Sequence, residues 1–310
     1  MAVTYATRLN SFLRTAKDVE EGLQHIASTG SITHVDLNYP EHFGERTPEE
    51  VKDLLDRVGL KINSVAMRFR ADFVGGEFTN ADPAIRAQAI ELTKQGIDAA
   101  AALGSDLVTV WLGFDGYDYT FQKDYAASVE LVVAALQELA DYRQGMRISY
   151  EYKPYEERSH ALIATGGMTL HVLNKVDRDN VGATLDFCHQ LMAGEMPAFY
   201  ASLLLDQGKL YGIHLNDGNG KFDDGLMIGS VHPFETAELL YYLARYDWEG
   251  VIYFDTFPIR EPAVAEAQTN VRTINLLRDK VLEYGVERIT EVVRSSDAIQ
   301  SQAVRTALIS

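Results

Sequence analysis

The stretch from Met146 to Asp255 decides the fold. It contains MRISYE (146–151), VGATLD (181–186), LYGIHL (210–215) and GVIYFD (250–255). Each of these is a short, β-rich apolar run that carries an acid or a histidine at or near its end. Amphipathic stretches with helical spacing separate them. Strands that alternate with helices predict parallel βαβ units.

The same alternation continues toward the N-terminus. The earlier predicted strands are Tyr5–Phe12, Thr33–Leu37, Lys61–Met67 and Asp106–Leu112. The predicted helices are Ala16–Ser28, one that opens at Thr47, Asp82–Leu103, Tyr125–Tyr142, His160–Val176, Pro197–Asp206, Pro233–Arg245 and Val264–Tyr284. Eight strand–helix units favour a (β/α)8 TIM barrel over an open doubly wound sheet.

The predicted barrel domain covers residues 1–285, and a short C-terminal helical tail covers 286–310. The tail has two interpretations. It either packs on a neighbouring subunit or forms a solvated helix with frayed ends.

Composition restricts the class of protein. The 310 residues are 46% hydrophobic, which is ample for a core, and the net charge is −17. That charge disfavours nucleic acid and anionic membrane surfaces as partners. The single cysteine, Cys188, excludes an internal disulfide. With no secretory leader pattern and no membrane-length apolar run, we expect a cytoplasmic protein that acts on a small molecule.

The active site of a barrel lies at the C-terminal ends of its strands. Four consecutive predicted strands present a metal-ligating side chain there: Glu151, Asp186, His214 and Asp255. Three converging carboxylates repel one another unless a cation neutralises them. Oxygen and imidazole ligands without thiolate favour Mn²⁺, Mg²⁺ or Co²⁺ over a structural zinc site. Taken singly, each acid also fits a helix cap, and His214 also fits a core histidine.

Further polar residues follow these strands. His189, Asp223 and Asp224 could hold a second cation beside the first. The alternative is that the two aspartates only solvate a glycine-rich loop. Lys153 follows Glu151 by two residues and would polarise a carbonyl group, unless it is a surface lysine.

Two aromatic residues complete the predicted site. Trp111 ends the fourth strand, and Phe73 lies in the loop after the third. Aromatic faces beside a polar metal centre suit sugar C–H surfaces and exclude water. Ordinary core packing is the alternative for both.

These residues occur in an order that resembles the xylose isomerases, from Phe73 to Asp255. The matching segments are DFVGGEFTNAD (72–82), VTVWLG (108–113), SYEYKPYEERSH (149–160), VGATLDFCHQLMAG (181–194), GKLYGIHLNDGNGKFDD (208–224) and YFDTFPIRE (253–261). A long ordered match is more specific than any single motif.

The resemblance implies a role for each residue of the predicted site. Phe73 and Trp111 would shield the substrate, and Lys153 would polarise its carbonyl group. The implied ligands of the first metal are Glu151, Asp186, His214 and Asp255. The implied ligands of the second metal are Asp186, His189 and Asp223.

The sequence also departs from the xylose isomerases. Their first site has an aspartate where this chain has His214, and the resulting ligand set is similar to that of L-rhamnose isomerase. In the xylose isomerases, two aspartates spaced as Asp-x-Asp ligate the second metal. Here Asp223 is followed by Asp224 and Gly225, so this spacing is not kept. Asn38 falls where they carry the histidine that assists ring opening. Asparagine cannot donate and recover a proton near neutral pH, which argues against xylose itself.

The favoured hypothesis is a metal-dependent aldose–ketose isomerase that works by hydride shift on a small free sugar, with Mn²⁺ as the expected metal. Asn38 would contact the substrate, and the resemblance implies a homodimer or homotetramer. A single metal would instead suit proton abstraction, as in a ketose 3-epimerase or a keto-sugar or keto-inositol lyase. Epimerases of this type use a glutamate where this chain has Asp255. A nuclease would need three metals and a basic groove, which the net charge of −17 and the absence of Lys/Arg clusters disfavour. A non-catalytic sugar-binding barrel would not need Lys153.

Overall fold

The computed structural model describes residues 3–309, in which eight parallel strands form a closed barrel. The strands are β1 (Thr4–Arg8), β2 (His34–Tyr39), β3 (Lys61–Met67), β4 (Leu107–Trp111), β5 (Arg147–Glu151), β6 (Val181–Asp186), β7 (Leu210–Leu215) and β8 (Val251–Phe254). Each strand pairs with the next along the chain, and β1 pairs with β8 to close the barrel. The predicted (β/α)8 barrel is therefore confirmed, and the open sheet is excluded.

Helices connect the strands and surround the barrel. They are α1 (Asn10–Leu13), α2 (Val19–Ala27), α3 (Pro48–Val58), α4 (Pro83–Leu103), α5 (Tyr125–Tyr142), α6 (Gly166–Val176), α7 (Phe187–Met192), α8 (Pro197–Asp206), α9 (Pro233–Arg245), α10 (Ala263–Tyr284), α11 (Val286–Ser295) and α12 (Ala298–Leu308). Among residues 3–309, no helix combines the length and the apolar character that a bilayer crossing requires.

Local sequence signals set the helix ends. The Thr47 hydroxyl accepts the Glu50 N–H, and the Glu50 carboxylate accepts the Thr47 N–H. This capping box begins α3. Gly104 ends α4 at φ 87°, in the left-handed region that favours glycine.

Two predicted elements were wrong in extent. The first strand, predicted as Tyr5–Phe12, ends at Arg8, and the chain turns into α1. Leu9 and Phe12 are buried three residues apart, which is helical spacing rather than strand alternation. The helix predicted from His160 begins at Gly166, where the Thr165 hydroxyl caps it. His160–Ala161 instead pairs antiparallel with Gly116–Tyr117.

Small hydroxyl side chains fill part of the barrel interior. The Ser64 and Thr109 hydroxyls lie 2.9 Å apart, and those of Ser149 and Thr184 lie 2.6 Å apart. Side chains alternate along a strand, so Ser149 and Glu151 face the same way. The inward-facing row of β5 therefore leads directly to the acid at its C-terminal end.

The last two helices pack on the outside of the barrel. In α11, Ile289 and Val292 are buried, and the Thr290 hydroxyl lies 2.9 Å from that of Tyr241 in α9. In α12, no side chain is fully buried, and the Arg305 guanidinium lies 4.4 Å from the centre of the Phe234 ring. The boundary at residue 285 stays a prediction.

Candidate metal centre

The C-terminal ends of β5 to β8 bring the first four predicted ligands together. Glu151 ends β5, Asp186 ends β6, His214 lies in β7, and Asp255 directly follows β8. One ligand atom from each residue lies within 4.8 Å of those of the other three. Strand register explains this convergence, because Asp186 pairs with His214 across β6 and β7.

A second group of ligand atoms adjoins the first and shares Asp186. Asp186, His189 and Asp223 also offer atoms within 4.8 Å of one another. Asp186 caps α7 by accepting the His189 N–H at 3.0 Å, which positions that histidine. His189 Nδ1 lies 3.0 Å from the Tyr152 carbonyl oxygen, which can only accept. Nδ1 therefore carries the hydrogen, and Nε2 points toward Asp223 Oδ2 at 3.3 Å.

These charged groups shift one another's pKa values. Burial raises the pKa of Asp186 to about 7. Burial also disfavours the charged forms of Glu151 and His214, but their mutual attraction outweighs it. The pKa of Glu151 falls to about 2, and that of His214 rises to about 9. The imidazoles thus help to offset the negative charge of the carboxylates.

The chemistry of the two groups fits divalent cations. Asp223 Oδ1 and His214 Nδ1 are buried, and neither has a hydrogen-bond partner among residues 3–309. His214 Nδ1 lies 3.3 Å from Glu151 Oε1 but outside hydrogen-bonding geometry. Buried polar atoms without partners are costly, and metal ligation satisfies them. The cysteine belongs to neither group, since the Cys188 Sγ lies 3.3 Å from the Phe222 carbonyl oxygen.

Lys153 and Trp111 lie beside these groups. Lys153 Nζ lies 3.2 Å from Asp223 Oδ2 and 2.9 Å from Glu156 Oε1. Burial opposes its charge, but these two carboxylates raise the pKa of Lys153, so its ammonium stays protonated. The ammonium lies 5.6 Å from the centre of the Trp111 ring, and Trp111 is in register with Glu151.

The other predicted residues lie farther out. Phe73 is buried in a short 3-10 turn, and its ring lies 5.3 Å from that of Phe69. Within the described part of the chain, it has no polar or ring contact with either ligand group. Asp224 Oδ2 accepts the Asn219 N–H at 2.7 Å and thereby shapes its own loop. Neither Phe73 nor Asp224 therefore adds a side chain to the two groups of ligand atoms.

Asn38 lies near the end of β2, next to a histidine that sequence reasoning missed. The Asn38 N–H donates to His42 Nδ1 at 2.9 Å, and the Asn38 amide donates to Asn10 Oδ1. Burial lowers the pKa of His42 to about 4, which keeps this imidazole neutral. The sequence signal for this contact was that His42 follows Asn38 by four residues, a distance that a turn can close.

Two further residues support the ligands and were also missed. The buried Asn216 amide donates to both oxygens of Asp186, at 3.3 and 3.1 Å, and to the Asp255 carbonyl oxygen at 3.1 Å. Its own oxygen accepts the Cys188 N–H at 2.8 Å. Arg8 NH1 lies 3.1 Å from Asp255 Oδ1. Arg8 ends β1, but the predicted strand continued to Phe12, so the end of the predicted strand did not point to Arg8.

A parallel eight-stranded barrel with a carboxylate–imidazole cluster at the C-terminal rim defines a class of metal-dependent barrel proteins. The profile of the xylose isomerase-like TIM barrel family matches residues 23–277, and this chain belongs to that family. The family includes sugar isomerases and epimerases.

Two curated relatives are xylose isomerases. The one from Thermus thermophilus is 31% identical over 241 residues, and the one from Thermus caldophilus is 30% identical over 241 residues. Each alignment covers 74% of this chain and 62% of the relative, so the chain spans less than two thirds of their length.

Solved structures share the fold at lower identity. A D-tagatose 3-epimerase-like protein superposes with a TM-score of 0.74 at 20% identity, covering 90% of this chain and 100% of the other. A D-allulose 3-epimerase from Methylomonas sp. superposes with a TM-score of 0.65 at 22% identity, covering 92% and 97%. These likenesses concern the barrel architecture.

Proposed function

We propose that this protein is a metal-dependent aldose–ketose isomerase that acts on a small sugar by hydride shift. The observation that carries the proposal is the sharing of Asp186 between two adjoining ligand groups. Two adjacent cations suit a reaction in which charge changes on two neighbouring substrate oxygens. The sequence similarity to the Thermus xylose isomerases supports the same chemistry.

In this proposal, Glu151, Asp186, His214 and Asp255 hold one divalent cation, and Asp186, His189 and Asp223 hold the second. Mn²⁺ is the expected ion, with Mg²⁺ and Co²⁺ as the other candidates. When bound, the cations supply electrostatic stabilisation to the substrate oxygens.

The side chains of the chain itself perform the remaining tasks. The Lys153 ammonium, fixed by Asp223 and Glu156, donates a hydrogen bond to the substrate carbonyl oxygen. The hydride then passes from C2 to C1 within the substrate. The proton released from the C2 hydroxyl ends on the oxygen of C1, so the aldose and the ketose have the same composition. Trp111 covers this end of the site and excludes water.

The ion pair at Asp255 argues against 3-epimerase chemistry. The resemblance implies that epimerases of this type use a glutamate at this strand position as both metal ligand and acid/base. Here Arg8 holds the Asp255 carboxylate at 3.1 Å, and the shorter aspartate has less reach than a glutamate. A residue held in this way suits ligation better than proton abstraction.

The test is to supply Mn²⁺ and follow a panel of free aldoses and ketoses by NMR in D2O. We expect interconversion of one aldose–ketose pair with little deuterium entering the product, and loss of turnover in Glu151→Gln. Glu157→Gln, an exposed neighbour on the same loop, serves as the control. Deuterium entering next to the carbonyl group would replace the hydride shift with enolate chemistry.

A further inference from the structure

Three cationic side chains surround the candidate metal centre. Arg8 comes from the end of β1, Arg68 directly follows β3, and Lys153 follows β5. Arg8 is paired with Asp255, and Lys153 with two carboxylates. Arg68 differs from both, because its guanidinium has no ion pair and no side-chain hydrogen bond within residues 3–309.

Arg68 points toward the barrel axis. Met67, the residue before it, faces the opposite way, with its sulfur packed against Gly96 in α4. The Arg68 N–H donates to the Tyr39 carbonyl oxygen at 2.9 Å, which continues the pairing of β3 with β2, so side-chain alternation turns Arg68 to the inside. Its guanidinium lies 5.2 Å from the centre of the Trp111 ring, the same ring that Lys153 approaches. Trp111 is in register with Glu151, so Arg68 lies on the side of the barrel that carries the first ligand group.

The formal charges at this rim leave two cationic side chains, Arg8 and Arg68, without a balancing charge once two divalent ions are counted. Two divalent ions would balance the four carboxylates of the two ligand groups. Beyond these, Glu156 offsets Lys153, while Arg8 and Arg68 retain their charges. Asp36, a buried acid nearby, has its pKa raised to about 7 by burial and is only partly ionised at neutral pH. The protein as a whole carries a net charge of −17, so this positive region is local.

We infer that the substrate is a sugar acid, whose carboxylate binds the Arg68 guanidinium while its reacting carbons lie over the ligand groups. The inference rests on the isomerase function proposed above and specifies its substrate class. A planar guanidinium fits a carboxylate through two parallel hydrogen bonds. The Trp111 ring, 5.2 Å from the guanidinium carbon, favours a charged group at this position. One unpaired guanidinium matches a single carboxylate better than a phosphate dianion, which needs more donors.

The test compares matched sugars in wild type, Arg68→Gln and Arg68→Lys. Each set contains a neutral hexose, the corresponding uronate and the hexose phosphorylated on its terminal carbon, in the galacto and gluco series. We expect wild type to prefer the uronate in kcat/KM by roughly 10-fold to 100-fold, the value of a charge-assisted hydrogen bond. Arg68→Gln should remove this preference mainly through KM, and Arg68→Lys should restore part of it. Arg70→Gln, an exposed residue paired with Glu41, is the control.

Isothermal titration calorimetry measures binding without turnover, so it tests the proposed substrate class independently of the proposed isomerase reaction. Galactonate and gluconate are titrated into metal-loaded wild type and Arg68→Gln, with the corresponding alditols as neutral probes. Selective binding of the aldonates that Arg68→Gln abolishes would support the inference even without turnover, and the isomerase proposal alone would then fail. Turnover of neutral sugars as efficient as that of uronates would overturn the inference and leave the isomerase standing. A preference for the phosphorylated sugars would also overturn it.

Discussion

At the scale of single residues, Asn216 holds the carboxylate that both ligand groups share. We predict that Asn216→Ala lowers Mn²⁺ affinity by roughly 10-fold to 100-fold, the usual effect of removing a residue that orients a ligand. The reason is that Asp186 loses its amide donor and the Cys188 N–H loses its acceptor. Isothermal titration with Mn²⁺ measures the change.

Asn219→Ala is the matched control, because Asn219 is exposed on the same loop. Within residues 3–309, its side chain donates a hydrogen bond only to Asp224. Equal Mn²⁺ affinity in the Asn216→Ala protein and in this control would show that Asn216 does not position the ligands.

The sequence alone was enough to predict which polar residues end the strands and lie at the rim of the barrel. Glu151 and Asp255 each terminate such a run, and parallel strands bring their ends to one rim. The role of Asn216 could not be predicted from the sequence. Its amide bridges Asp186 and the Asp255 carbonyl oxygen, which the fold brings together from two different strands. The functional roles of the predicted ligands stay predictions, as does the likeness of the ligand set to that of L-rhamnose isomerase.

At the scale of elements, a buried pair of acids joins the loops after β3 and β4. Asp115 accepts the N–H groups of Glu77, Phe78 and Thr79 at 2.8 to 3.0 Å. Glu77 in turn accepts the Phe114 N–H. The loop that carries Phe73 and the loop that follows Trp111 are thereby held together.

This pair predicts a pH-dependent stability. Burial, with the charge of Asp115 beside it, raises the pKa of Glu77 from 4.5 to about 9. A raised acid pKa stabilises the fold fully below 4.5 and progressively less as the pH rises toward 9. Between about pH 5 and pH 9, we expect the unfolding free energy of wild type to fall by roughly 5 kcal/mol more than that of Glu77→Gln, whose side chain stays neutral.

Urea unfolding at several pH values measures this difference. Glu157→Gln is the control, since that side chain is exposed. Parallel pH profiles for wild type and Glu77→Gln would contradict a neutral Glu77.

Helix caps and strand alternation allowed most elements to be located, but two contacts depended on tertiary structure. The segment after Arg8 begins with apolar residues that suit either a strand or a helix, and packing of Phe12 decides for the helix. The pairing of Gly116–Tyr117 with His160–Ala161 joins segments far apart in the chain. Such short strands have no periodicity of their own to detect.

At the scale of the whole molecule, bound metal should stabilise the fold. We predict that Mn²⁺ at about 100 times its dissociation constant adds about 2.7 kcal/mol to the unfolding free energy. Differential scanning calorimetry should show a Tm that rises with Mn²⁺ in wild type and much less in Glu151→Gln. An equal rise in both proteins would place the stabilising ion elsewhere.

The C-terminal helices contribute unequally to stability. Removing residues 297–310 deletes α12, which has no fully buried side chain. Removing 286–310 also strips the buried Ile289 and Val292 from α11. We therefore expect the shorter deletion to lower Tm only slightly. The decrease in Tm caused by the longer deletion should be several times larger.

If the barrel of residues 1–285 is an independent domain, both truncated proteins will still unfold in one cooperative transition. Loss of that cooperativity in the longer deletion would show that α11 belongs to the barrel's folding unit.

Asp186 caps α7 as well as belonging to both ligand groups, and this double use affects how the protein tolerates mutation. Alanine at this position removes a helix cap and a charge together, whereas Asp186→Asn keeps the cap, since asparagine caps helices about as well as aspartate. If the proposed metals bind here, a descendant that no longer needed them could therefore drift to asparagine at this position and keep its fold. Folding alone would then tolerate asparagine at this position, and selection for ligation would be what retains aspartate.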